Sequence, residues 1–169
     1  MKRAVHCLPK FKTLSFVLLL TLSSQSTYAL ERLSRLGIGF ANQMANNIPS
    51  ISFKLQRSKS FAFGGQFAYS NAENGGGTAA AVKIYRNFFD EPHLSFFGSL
   101  LGGMISEKRN NSSESGFQVD VTLGSEFSFR GLESLGFSLE FGVSLNKLSD
   151  FVVETVGNNY LVSAVHFYL

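Results

Sequence analysis

Between residues 117 and 129 the chain reads Phe117-Gln-Val-Asp-Val-Thr-Leu-Gly-Ser-Glu-Phe-Ser-Phe129, and this alternation constrains the fold more than any other feature. Phe117, Val119, Val121, Leu123, Phe127 and Phe129 share one parity; Gln118, Asp120, Thr122, Gly124, Glu126 and Ser128 share the other. Successive side chains on a strand point to opposite faces, so a period of two predicts a strand with one apolar and one polar side. The pattern returns at once, with Phe137, Leu139, Phe141, Val143 and Leu145 against Gly136, Ser138, Glu140, Gly142 and Ser144. Only Arg130-Gly-Leu-Glu-Ser134 separates the two runs, which therefore read as a hairpin. Helical spacing explains neither.

Six weaker segments follow the same rule, at about 35–43, 50–57, 61–70, 78–87, 94–105 and 159–169. Their apolar faces carry Leu36, Ile38 and Phe40; Ile51, Phe53 and Leu55; Phe61, Phe63, Phe67 and Tyr69; and Ala80, Val82 and Ile84. The fifth strand has Leu94, Phe96, Leu100 and Met104 on that face, with Phe97 and Leu101 breaking the pattern. The last has Leu161, Val165, Phe167 and Leu169, against His166 and Tyr168. Pro49 and Pro92 fall between segments, where a missing N–H costs little. The connections alternate in length. Those at 44–49, 71–77, 106–115 and 146–158 are longer on average than those at 58–60, 88–93 and 130–134. Short turns on one rim and longer loops on the other are the habit of outer-membrane barrels.

Composition matters chiefly through the first 29 residues. Lys2, Arg3, Lys10 and Lys12 precede the apolar run Leu14-Ser-Phe-Val-Leu-Leu-Leu-Thr-Leu22, and small residues end in Thr27-Tyr28-Ala29. A basic start, an apolar stretch and a small-x-small end make up a secretory signal peptide, and the stretch is too short to span a bilayer. The expected division is a signal at 1–29 and one domain at 30–169, with no cysteine at the cleavage point for lipid attachment. The whole chain carries a charge of +3, from 15 basic and 12 acidic residues. Without the signal's four basic residues, 11 face 12 and the charge is −1, which removes the electrostatic case for nucleic acid. The lone cysteine, Cys7, leaves with the signal, so neither a disulfide nor a cysteine metal site is expected.

Eight amphipathic strands can close with either face inward. A soluble secreted barrel binding a small ligand puts the apolar face inside; a membrane barrel puts it outside. Twelve of the sixteen Phe beyond the signal lie on the apolar face, at 40, 53, 61, 63, 67, 96, 117, 127, 129, 137, 141 and 167. An eight-stranded lumen is only wide enough to be filled by side chains, and the polar face is mostly Gly, Ala and Ser. Twelve rings fit a lipid-facing belt better than that lumen. A lysine facing mid-membrane lipid costs about 2–4 kcal/mol, which likewise directs Lys54 and Lys83 inward. Eight strands of bilayer-spanning length need roughly 72–88 residues, and 140 are present after the signal. The fold expected is all-β, an eight-stranded antiparallel up-and-down transmembrane β-barrel.

These features, above all the Phe/Gly alternation of 136–145 and the closing Asn159-Tyr-Leu-Val-Ser-Ala-Val-His-Phe-Tyr-Leu169, resemble the small eight-stranded outer-membrane barrels of the OmpA/OmpX type. The resemblance covers nearly all of the chain after the signal, and it is to an architecture built on a generic alternation. It implies a location in the cell outer membrane of a Gram-negative envelope, with outer-membrane lipid and the barrel-assembly machinery as partners. Such barrels usually end in Phe, which that machinery recognises; here Leu169 is last and Phe167 stands two residues before it. No residues remain for the peptidoglycan-binding domain that follows the OmpA barrel, so wall tethering is not implied.

On this register Lys54, Lys83, Glu126, Glu140 and His166 point inward near one end and form a single layer of two cations, two carboxylates and an imidazole. The layer reads as a self-neutralising plug, with a proton- or ion-responsive gate as the sharper alternative. In the last long connection Phe151, Val152, Val153 and Val156 either extend the strands or form a surface that binds an extracellular partner. Catalysis is not expected. Ser112, Ser113 and Ser115 have no histidine at their rim, since His93 and His166 belong to the other end. Gly37-Ile-Gly39 lacks the third glycine and helix of a phosphate loop, and no cofactor or metal spacing is present. The expected role is structural or one of surface interaction, with a small pore or hydrophobic-solute conduit as the alternative.

Overall fold

The computed structural model describes residues 33–71, 76–109, 112–157 and 160–169, and the segment read as an export signal lies outside the described residues. The alternating runs form nine antiparallel strands: β1 (Leu36–Ala41), β2 (Ser50–Gln56), β3 (Phe61–Ser70), β4 (Gly76–Glu91), β5 (Leu94–Arg109), β6 (Ser112–Phe127), β7 (Leu135–Lys147), β8 (Phe151–Thr155) and β9 (Val162–Tyr168). Each strand from β1 to β7 pairs with the next, β7 pairs with β9, and β9 pairs with β1. The result is a closed eight-stranded up-and-down barrel in which β8 and β9 are two pieces of the eighth stave. Closure leaves no unpaired edge along the paired length, which is why the architecture needs no second layer.

The parity read from sequence decides which side chains face in. Phe40, Val82 and Met104 point outward and are 68%, 70% and 74% exposed, whereas Lys54, Lys83 and Glu140 point inward and are each 2% exposed. Phe97 and Leu101 do not break the strand's pattern. They keep the inward parity of β5 and are fully buried in the interior, Phe97 edge-on to Tyr85 at 5.3 Å and Leu101 beside Ile105. Small residues on the inner face make room for particular large neighbours. A Cβ on Gly124 would stand 2.6 Å from Cγ of Glu140, and one on Gly136 would stand 3.1 Å from Oε1 of Glu126.

The strands differ from the sequence reading in length, and the wall is uneven as a result. β4, β5 and β6 each run 16 residues, while β1 has 6 and β2 and β9 have 7. Most of the expected connection at 106–115 is ladder, with pairing continuing to Arg109↔Ser112. The turn after β4 shrinks to Pro92-His93 because the strand continues through a bulge at Phe88 to Glu91. Polar residues far from the apolar belt still pair, since a strand in water loses nothing by continuing its hairpin.

Two expectations need correction at the other end. The first strand stops at Ala41 instead of 43, and the chain then turns into the barrel. The connection expected at 146–158 contains β8, which pairs with β7 from Lys147↔Phe151 to Val143↔Thr155. Pairing with β7 resumes only at Glu140↔Val162, so Phe141 and Gly142 fall between the two ladders. Gly157 and Tyr160, both at positive φ (74° and 65°), lie between β8 and β9.

Candidate functional site

The interior is built in two storeys, one at the short-turn end and one at the loop end. In the first, Lys54 Nζ donates to Glu126 Oε2 at 2.8 Å, and Lys83 Nζ donates to both Glu140 oxygens at 2.7 Å. Each carboxylate has further donors. Tyr168 Oη reaches Glu126 Oε1 at 2.8 Å and Ser138 Oγ reaches Glu126 Oε2 at 3.1 Å, while Thr122 Oγ1 reaches Glu140 Oε2 at 2.6 Å and Ser99 Oγ reaches it at 3.2 Å. The ammonium of Lys54 also lies 4.6 Å from the centre of the Tyr85 ring and 4.8 Å from that of Phe97. Charges removed from water are tolerated when paired and hydrogen-bonded on every side, and these are.

The structure thus gathers the five residues singled out for the lumen, as two ion pairs plus an imidazole. His166 Nε2 lies 2.9 Å from Ser52 Oγ, with donor and acceptor set by the tautomer, and its Nδ1 has no hydrogen-bond partner among the described residues. That distance is one at which a histidine can activate a serine. Here both side chains are at most 2% exposed and no carboxylate orients the ring through Nδ1, so the pair lacks substrate access and the third member of a triad.

The second storey was not foreseen. From Asn42 the chain leaves the wall, and residues 42–49 fold into the barrel before β2 begins. Asn42 ends the ladder, donating its N–H to the Ser163 carbonyl at 3.2 Å and accepting the Ser163 N–H on its side chain at 2.6 Å. Met44 and Asn47 then close a turn through a 3.0 Å backbone bond, with Asn47 at a φ of 57°, a conformation asparagine tolerates well. Gln43 lies between charges of opposite sign. Its Oε1 accepts from Lys83 at 2.6 Å and from Gln66 at 3.0 Å, and its Nε2 donates to Asp120 at 2.9 Å. A primary amide offers both an acceptor and a donor, and the cation and anion fix its orientation. Gln118 fastens the backbone of the segment, accepting the Ala45 N–H at 2.9 Å and donating to the Gln43 carbonyl at 3.1 Å. Met44 enters an apolar nest of Ala68, Ala79, Leu101 and Ile105.

The sequence reading missed Gln43 and Met44 because alternation marks strands, and Ala41-Asn-Gln-Met-Ala-Asn-Asn-Ile-Pro49 has none. A signal did exist for their receptors. Leu101 has inward parity but no charge to join, and it needed an apolar partner inside. Tyr85 and Tyr168 also have inward parity, which places Tyr85 against the lysines and Tyr168 against Glu126.

At the loop-end mouth, Phe151 and Val153 of β8 face outward while Val152 and Glu154 share the inward face of Asn146 and Ser144. Asn146 Nδ2 donates to Glu154 Oε1 at 2.6 Å. Val156 is not part of an exposed surface as expected: it points into the barrel and is 1% exposed. A cavity of about 360 Å³ opens at this mouth, lined in part by Glu107, Glu114 and Asp150. At the opposite end, Glu133 sits in the turn before β7. The Gly131 N–H donates to its Oε1 at 2.8 Å and holds its carboxyl below the usual carboxylate range. Among the described residues no three His, Cys, Asp or Glu side chains gather as a metal site.

The architecture is therefore that of the small closed eight-stranded barrels of the OmpA type. No known family pattern and no curated protein matches the chain. Among solved structures, it is similar to the N-terminal β-barrel domain of Pseudomonas aeruginosa OprF, with a TM-score of 0.59 and 12% sequence identity, covering 81% of this chain and 98% of that one. At that identity the likeness is one of fold.

Proposed function

We propose that this protein is an integral barrel of the bacterial outer membrane, exported by the signal at 1–29, with a structural or surface-interaction role and no enzymatic activity. The observation that carries the reading is the reversed distribution of polarity. The outer wall is an apolar surface that includes Phe53, Phe63, Phe67, Val121, Phe141 and Phe167, each at least 40% exposed, while lysines and carboxylates are inside. Soluble monomers rarely expose a contiguous apolar patch beyond a few hundred Å², whereas a lipid-facing band is apolar throughout. Rings cluster near the short-turn end, where Phe127, Phe129 and Phe137 pack within 6 Å of one another between centroids, as in the aromatic girdle of such barrels.

On this reading the interior is a plug. The ion-pair layer fills the short-turn end and residues 42–49 fill the loop end, so the barrel does not conduct. Two measurements test the reading together. Membrane fractionation and a gel run with and without heating should give an outer-membrane species whose mobility changes on unfolding. A soluble species, or one indifferent to heat, would defeat the membrane assignment. Planar bilayers containing the purified full chain should be silent, and steady single-channel currents would replace the plug with a pore.

A further inference from the structure

The eighth stave leaves one part of the wall unpaired, and its chemistry describes a partner. We propose that the free edge of β8 is a docking site for an extended peptide segment alternating basic and apolar residues. The phase of the ladder shows what the edge offers. Val156 N–H donates to the Gly142 carbonyl at 3.1 Å, so in an antiparallel pair residues 154 and 152 are the next to exchange bonds with β7. Phe151, Val153 and Thr155 therefore turn their N–H and C=O groups away from β7. Among the described residues no strand meets them. The neighbour across the gap would be β1, whose ladder with β9 runs to Ala41↔Ala164 and closes with Asn42 bonded to Ser163 before the chain turns inward.

Exposed edges are normally blunted by lysine, proline, a bulge or a covering element. Phe151-Val-Val-Glu-Thr155 has no lysine or proline, and all five residues are exposed. The two faces of β8 specify the occupant. Outward-facing Phe151 and Val153 would flank one set of side chains on an added strand, favouring apolar partners. Inward-facing Glu154 would flank the other set, favouring lysine or arginine, and Val152 on the same face lines the mouth that Asp150 and Glu114 share. Main-chain bonds to the edge would supply affinity, and the alternation would supply specificity. The proposal rests on the outer-membrane reading only in placing this end outside the cell.

The test uses the full chain in detergent with a blocked seven-residue probe alternating Lys and Val. The Lys/Val probe should bind saturably, and a Glu/Val probe should not. Val153→Pro removes an N–H from the free edge without touching the β7 ladder and should weaken binding about ten-fold. Glu154→Gln should weaken it less and flatten its salt dependence. A Lys/Val probe N-methylated on alternate residues should fail against the unaltered protein, a result independent of how any variant folds. Equal binding of the Glu/Val probe, or indifference to N-methylation and to Val153→Pro, would overturn the proposal. So would a concentration-dependent dimer abolished by Val153→Pro, because the edge would then belong to a second copy. Binding by a protein that fails the heated-gel and fractionation tests would retain the docking site and discard the membrane reading.

Discussion

The two ends of the interior solve one packing problem differently. At the short-turn end the wall fills itself: Lys54, Lys83, Glu126 and Glu140 reach inward from β2, β4, β6 and β7 and neutralise one another across the lumen. At the loop end the wall offers an apolar nest of Ala68, Ala79, Leu101 and Ile105 beside Gln66, Gln118 and Asp120, and the space is taken by a connection folded in from outside the strands. The first arrangement relies on charge, which is strong where both partners are buried and intolerant of a missing partner. The second relies on apolar contact and amide hydrogen bonds, each more modest than a buried ion pair. Gln43 joins them, because it belongs to the inserted segment yet bonds to Lys83 of the ionic layer.

Breaking the ionic end should have the larger effect. Lys83→Ala leaves Glu140 without its nearest cation and is expected to cost about 3–5 kcal/mol, read as a lowered unfolding midpoint in detergent. An unchanged midpoint would mean that the ion pair contributes nothing and that the contrast between the ends is false. Met44→Ala should cost about 2–3 kcal/mol by opening a cavity among its alanine and leucine neighbours, with Lys54–Glu126 intact. Gln43→Leu should cost about 1–3 kcal/mol by stranding the Gln66 amide and removing one partner each from Lys83 and Asp120. Combined with Lys83→Ala, its effect should be less than additive by about 0.5–3 kcal/mol if Gln43 couples the two storeys, and strict additivity would separate them.

The smallest effect lies outside both storeys. Because the Glu133 carboxyl is held below its ordinary value by the Gly131 N–H, its contribution is present at neutral pH and is lost as pH falls through the depressed pKa. Glu133→Gln should therefore be slightly less stable than the unaltered protein at pH 7. The two midpoints should converge in acid, and a difference that persists there would assign the effect to something other than ionisation.

Much of the fold was legible because strand parity is a local property. One register error would have turned every side chain of a strand to the wrong face, yet the parities of Lys54, Lys83, Glu126, Glu140 and His166 all place them inside. Phe97 and Leu101 show the limit of a pattern read by hydrophobicity alone, since parity made them interior while their chemistry matched the outer face. Strand ends were less legible. β5 and β6 continue through polar residues to Arg109 and from Ser112 because pairing there depends on the facing strand, which no local pattern reports.

Two-faced strands, the number of staves and the set of inward-facing residues can all be read from the chain's alternation, because side-chain alternation along a strand is fixed by covalent geometry. Which lysine meets which carboxylate, the entry of residues 42–49 into the lumen and the break in the eighth stave that leaves the edge of β8 open are properties of the closed barrel. Those outcomes depend on shear, stave length and the volume left after closure, quantities that exist only once the first strand has met the last.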